Sequence, residues 1–179
     1  MLILENKEPV VISPQGCRFY TINKRIIPYN FVGLIKSKTK TMEKTIITVE
    51  SSINAPLTTV WDCWTNPEHI TGWTFASDDW HSPMATNDLQ TGGKFLTRME
   101  AKDGSFGFDF EGTYTLVEPL KKIEYVLADE REVKIEFLET GDAVQVIEKF
   151  NPENENPIEL QKDGWQAILN NFKKYVESN

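Results

Sequence analysis

Between positions 95 and 112 the chain runs Phe95-Leu96-Thr97-Arg98-Met99, then Asp103-Gly104, then Ser105-Phe106-Gly107-Phe108-Asp109-Phe110-Glu111-Gly112. Apolar residues at every second position mark a strand with one face against an apolar layer. Asp-Gly suits a two-residue hairpin turn, whose central residues need positive φ. Together they predict an antiparallel hairpin, and its register follows by counting outward from the turn. Lys102 pairs with Ser105, Met99 with Phe108, Thr97 with Phe110 and Phe95 with Gly112. On the opposite face Arg98 falls across from Asp109, as a solvated surface favours. The phenylalanine row is expected inside. Asp109 and Glu111 are expected outside, as surface charges and not a catalytic dyad.

The pattern continues downstream. Glu118-Pro119-Leu120-Lys121 reads as a loop that sets Leu116 against Ile123 and Tyr114 against Tyr125. Thr140-Gly141 reads as a further turn, setting Phe137 against Val144, Ile135 against Val146 and Val133 against Glu148. A two-residue turn at Asp129-Glu130 would oppose Leu127 with Glu132, so a three-residue loop or bulge is expected there.

Upstream, Thr45–Ile53 is rich in β-branched residues and reads as a first strand. Pro56 suits the first turn of a helix carrying Val60, Trp61 and Trp64. Asn66-Pro67-Glu68 opens a second short helix ending near Gly72. Residues 73–91 read as irregular. After Asn156-Pro157, Ile158, Gln161, Trp165, Ile168, Leu169, Phe172 and Val176 form one stripe of a long helix. Lys173 and Lys174 suit the dipole at its end. The fold class is therefore α+β: a curved antiparallel sheet of about six or seven strands, two short helices after the first strand, and a long C-terminal helix across the sheet's apolar face.

At 179 residues the chain suits one well-buried domain. Its net charge of -8 argues against nucleic acid as a partner. No apolar run is long enough to span a membrane. Cys17 and Cys63 read as free thiols of a reducing, cytoplasmic compartment. The basic residues gather early: residues 1–41 hold Lys7, Arg18, Lys24, Arg25, Lys36, Lys38 and Lys40 against Glu5 and Glu8. This break at Met42 leads us to expect a natural start there, with 1–41 as upstream sequence or a loosely held, disordered extension and 42–179 as the domain. The alternative is a basic tail that binds an acidic partner or the domain itself. Asp78, Asp79 and His81 crowd one loop but read as solvated, so no metal is expected. No cofactor is expected either, since Thr91-Gly92-Gly93-Lys94 lacks phosphate-loop spacing and no Gly-x-Ser-x-Gly elbow occurs.

Several short strings fall in a familiar order. Ala55-Pro56 before Val60-Trp61, Asn66-Pro67-Glu68, Gly92-Gly93-Lys94-Phe95, Gly112-Thr113-Tyr114 and Gly164-Trp165 resemble the SRPBCC (START-like, helix-grip) superfamily. Within it the chain is similar to bacterial single-domain members of the branch related to the activator of heat shock protein 90 ATPase. Asp78-Asp79-Trp80-His81 and Gly164-Trp165-Gln166-Ala167-Ile168-Leu169 strengthen that likeness, which covers about 45–176. The resemblance implies a cavity between sheet and last helix that takes lipid-, polyketide- or flavonoid-like molecules.

Phe95, Met99, Phe108, Phe110, Tyr114 and Tyr125 are the expected walls, with Ile135, Phe137 and Val146 beside them. By themselves these residues fit a solidly packed core as well as a pocket, and the resemblance favours the pocket. Thr97 and the tyrosines would offer hydroxyls to a ligand. Gln161, Trp165 and Leu169 would face it from the helix. Glu148 stands out as an acid pointing inward on an apolar strand, where it needs a partner or takes up a proton. A carrier or sensor needs only the cavity. A cyclase or hydrolase would use Glu148 as acid or base, and a co-chaperone-like module in a stress response would engage a chaperone.

Overall fold

The computed structural model describes residues 45–179 throughout and, before them, the backbone of β1 (Val11–Ile12), β2 (Arg18–Ile22) and β3 (Arg25–Pro28). These strands pair in order as an antiparallel sheet. No sustained sequence period announces them. The chain divides into two compact units, Met1–Glu43 and Lys44–Asn179. The expected extension over 1–41, and Cys17 within it, fall largely outside the described residues.

In the second unit β4 (Ile47–Ile53) leads into α1 (Leu57–Thr65) and α2 (Pro67–Ile70). A meander follows through β5 (Trp80–Asn87), β6 (Lys94–Ala101), β7 (Gly107–Glu118), β8 (Lys122–Leu127), β9 (Glu132–Thr140) and β10 (Ala143–Phe150), and α3 (Ile158–Ser178) ends the chain. The sheet order is β4-β10-β9-β8-β7-β6-β5, antiparallel throughout, and the sheet curls into a half-barrel. The last strand thus returns beside the first.

The local chemistry explains each joint. The tip closes as a four-residue loop, 102–105, in place of the expected two-residue turn: the Ala101 N–H donates to the Phe106 carbonyl at 2.9 Å, and of Asp103 and Gly104 only Gly104 takes positive φ, +74. The loop has the same centre, so the β6–β7 register matches the count at every ladder pair, with Arg98 opposite Asp109. Their side chains meet at 3.1 Å on the outer face, and Arg98 also holds Glu100 at 2.7 Å. Between β8 and β9 the chain makes the expected three-residue loop. Glu130 takes φ +67, and the Leu127 N–H donates to the Arg131 carbonyl at 2.9 Å. Asn66 caps α2 by accepting from the Glu68 N–H at 3.1 Å, with Pro67 in its first turn.

Two registers differ from the count. The β9–β10 turn is Gly141-Asp142, so Phe137 faces Val146, Ile135 faces Glu148 and Val133 faces Phe150. The slip is two residues, and a slip of two keeps every side chain on its face. The loop before β8 is Pro119-Leu120-Lys121, one residue shorter than expected, which pairs Val117 with Ile123 and Leu116 with Glu124. A bulge at Thr115 absorbs the difference, so Tyr114 still meets Tyr125.

Segment 73–91 is less irregular than its composition implies. Trp80–Asn87 is an edge strand, and Pro83 sits where the ladder is interrupted between His81 and Met84. Edges and bulges are where a missing N–H costs no ladder bond. The other edge, β4, is covered by α3. Gln166 Nε2 donates to the Glu50 carbonyl at 3.1 Å and Lys173 Nζ to the Ser52 carbonyl at 2.7 Å, while Glu177 accepts from the Asn54 N–H at 2.8 Å. Lys173 is thus engaged with the sheet edge, and the last turn of α3 carries no basic residue. The buried stripe begins at Gln161, since Ile158 is 46% exposed. Among the described residues no helix is long and apolar enough to cross a membrane.

Candidate functional site

The sheet and α3 enclose two unlike regions. Under the C-terminal half of α3 the space is filled. Phe172 meets the edges of Trp64 and Trp73, each at 4.7 Å between ring centres, and Phe137 packs under Trp61 and Trp64 at 5.2 and 5.6 Å. The Trp73 indole N–H donates to the Cys63 carbonyl at 3.0 Å and fixes its ring. Cys63 is buried here, and burial, with Asp62 behind it, raises its thiol pKa.

Under the N-terminal half of α3 lies a cavity of about 320 Å³. The alternating face of β6–β8 supplies Phe95, Thr97, Met99, Phe108, Phe110, Tyr114, Ile123 and Tyr125. The helix supplies Gln161, Trp165, Ile168 and Leu169. Glu148 rises from β10, and Trp64, Ile70, Trp73 and Thr74 close the end nearest the packed region. Gly112 makes this face possible, because a Cβ there would lie 2.8 Å from the Phe95 ring. Phe95 packs on Tyr125 at 4.8 Å and Tyr114 at 5.2 Å, and Phe110 faces Trp165 at 5.9 Å. A shallow groove of about 330 Å³, lined also by Trp80 and Leu160, shares Met99, Phe108, Gln161, Trp165 and Ile168 with the cavity.

Eleven of the expected positions thus line one space, and Ile135, Phe137 and Val146 do not. Those three are sealed in the core, because the sheet there meets α1 and the far half of α3 instead of the cavity. The phenylalanine row divides. Phe110 is half-buried, Phe108 is 40% exposed, and Phe106 is 62% exposed with its ring against Trp80 and Phe108. The expectation that Phe106 lies inside is therefore wrong, since it sits in the tip loop, before β7 begins at Gly107. Arg131 and Glu153 also reach the lining, from loops whose sequence carries no period. Trp64 and Trp73 pack against the core beside the short helices and wall the cavity as well.

The polar groups of the cavity fall into two sets. One set is satisfied. The Tyr114 hydroxyl donates to Asn87 Oδ1 at 2.8 Å, and Asn87 Nδ2 donates to the Thr65 carbonyl at 2.6 Å. Burial raises the Tyr114 pKa far above that of a free phenol. Gln161 accepts from the Glu153 N–H at 2.9 Å and donates to the Asn156 carbonyl at 2.8 Å, so it holds the β10–α3 loop.

The other set is Thr97, Tyr125 and Glu148. Each is buried, and among the described residues none of their side chains has a hydrogen-bond or ion-pair partner. Their polar atoms are not sealed in protein, so they border the cavity. Glu148 is 6% exposed between Val49 and Ile135. Burial pushes its carboxyl up to about 8. Burial also raises the Tyr125 phenol, and the nearby Glu148 charge adds to this. Outside the cavity, His81 Nε2 on β5 lies 3.8 Å from the Glu100 carboxylate. No group of three or more potential metal ligands occurs among the described residues.

A curled sheet gripping a long helix over an apolar cavity defines the helix-grip class. The chain belongs to the family described as Activator of Hsp90 ATPase homolog 1-like protein, whose model matches residues 54–177. A solution structure of the AHSA1-like protein from Aeromonas hydrophila is 42% identical, with a TM-score of 0.72, over 75% of this chain and 93% of that one. A protein from Cytophaga hutchinsonii is 52% identical, with a TM-score of 0.65, over 74% and 92%. A Nitrosomonas europaea protein, at 17% identity and a TM-score of 0.65 over 75% and 96%, shares the fold. Comparison with curated proteins found no match.

Proposed function

We propose that this protein binds a small hydrophobic, aromatic molecule between the sheet and α3, acting as a carrier or sensor. The supporting observation is the 320 Å³ cavity walled by aromatic side chains, with a few buried polar groups pointing into it. Membership of a family whose fold commonly takes hydrophobic ligands supports the same reading. A guest of about 20 heavy atoms at about 0.3 kcal/mol each gains roughly 6 kcal/mol, a dissociation constant of tens of micromolar.

The test is a thermal-shift and NMR titration with naphthalene-sized and lipid-like compounds. The expected result is a raised melting temperature, with resonance shifts at Met99, Thr97 and Ile168. Shifts confined to the outer face near Arg98 and Asp109, or none, would remove the cavity from consideration.

A further inference from the structure

We propose that the cavity selects a neutral aromatic guest bearing a hydroxyl or carbonyl group, and discriminates against aromatic carboxylates. This rests on the cavity-binding reading above and adds the chemistry of the guest.

Thr97, Tyr125 and Glu148 come from three different strands, and all three are buried without a partner at the cavity surface. A buried polar group left unpaired is costly, so a guest that pairs with it recovers that cost, whereas a purely apolar guest leaves it standing. A hydroxyl both donates and accepts, which fits a carboxyl, a phenol and an alcohol. A carbonyl can accept from any of the three.

Charge decides against an anion. Beside Glu148 stand Tyr125 from β8, Val49 from β4 and Ile135 from β9, and α3 gives the cavity only uncharged side chains, Gln161, Trp165, Ile168 and Leu169. The lining's only cation is Arg131, already paired with Asp129 at 2.7 Å, and Glu153 adds a further acid. A guest carboxylate would give up its hydration in this apolar space with no unpaired cation to balance it, and would meet a second negative charge wherever Glu148 ionises. An ammonium guest would require two charges to leave water together.

Calorimetry on the full chain at pH 7 separates these cases with probes of one shape: 2-naphthol, 2-naphthoate, 2-naphthylmethylamine and naphthalene. The expected order places naphthol first, with naphthoate weaker by about tenfold or more. At pH 7 Glu148→Gln, which imitates the protonated acid, should leave that ratio nearly unchanged; raising the pH to 9, where Glu148 ionises, should weaken naphthoate further in the natural protein and not in E148Q. Tyr125→Phe should weaken naphthol by about threefold more than naphthalene, which keeps the proposal testable should E148Q fail to fold. Naphthoate equal to naphthol, no further loss of naphthoate at pH 9, or the amine binding tightest would each overturn the selectivity while leaving cavity binding in place. Failure of all four probes to bind would overturn the cavity reading itself and the selectivity with it.

Discussion

The two halves of α3 face the same sheet and do different things with it. Around Phe172 and Val176 the helix presses on a third layer, the indole rings of α1 and of the turn after α2, which fill the space there and wall off the cavity. Around Gln161, Trp165 and Ile168 no third layer exists, and the curled sheet stands off from the helix. The contrast shows that the cavity is made by where α1 and α2 stop. Both halves carry apolar stripes of similar character, so hydrophobicity alone does not distinguish a packed end from an open one.

The sharpest way to break this comparison is to truncate one ring in each half. Phe172→Ala should cost about 3–5 kcal/mol, since transfer and cavity terms add in a filled core. Phe110→Ala should cost below about 2 kcal/mol, because its ring already borders open space. Equal losses in urea denaturation would mean the two ends are packed alike.

A smaller effect sharpens the polar side of the comparison. With the Glu148 carboxyl at its usual 4.5 in the unfolded chain and about 8 in the fold, the folded protein keeps a proton the unfolded chain has lost. Stability contributed by this neutral acid is thus complete below about 4.5, is lost as pH rises, and is gone above about 8. Glu148→Gln imitates the neutral form. Its stability should track the natural protein at pH 4 and exceed it at pH 9 by on the order of 3 kcal/mol or more. A gap that does not change with pH would mean that Glu148 ionises freely in the fold.

The mildest change tests the open end directly. Gly164 lies in α3 with nothing within 4 Å of the position a Cβ would occupy. Gly164→Ala should therefore stabilise the protein by about 0.5–1 kcal/mol through helix propensity alone, read as a higher denaturation midpoint. A loss would show that the helix sits closer to its surroundings than described.

What the sequence made legible follows from how local each signal is. The Asp103-Gly104 signal and the acid–base pair at Arg98 and Asp109 set the register of one hairpin, because turn position and face polarity agree, although the tip itself closes as a four-residue loop. Glu148 was legible as an inward acid despite a two-residue error at the Gly141-Asp142 turn, since that error preserves the face. Strand β5 was not legible, because an edge strand with Ser82, Pro83 and Asn87 looks like a loop until its partner is known. The walls of the cavity were legible and their extent was not. Periodicity tells which way Phe106 and Ile135 point, but only the neighbouring layers decide that one hangs in solvent and the other is sealed.

The bulge at Thr115 bears on how a chain of this kind can vary in length. On β7 the inward positions are even-numbered up to Tyr114 and odd-numbered from Val117, and the odd loop Pro119-Leu120-Lys121 is what that switch reconciles. Inserting or deleting two residues at a hairpin tip slides a strand without turning it over. A change of one needs a second, offsetting irregularity nearby, and this sheet carries both members of such a pair.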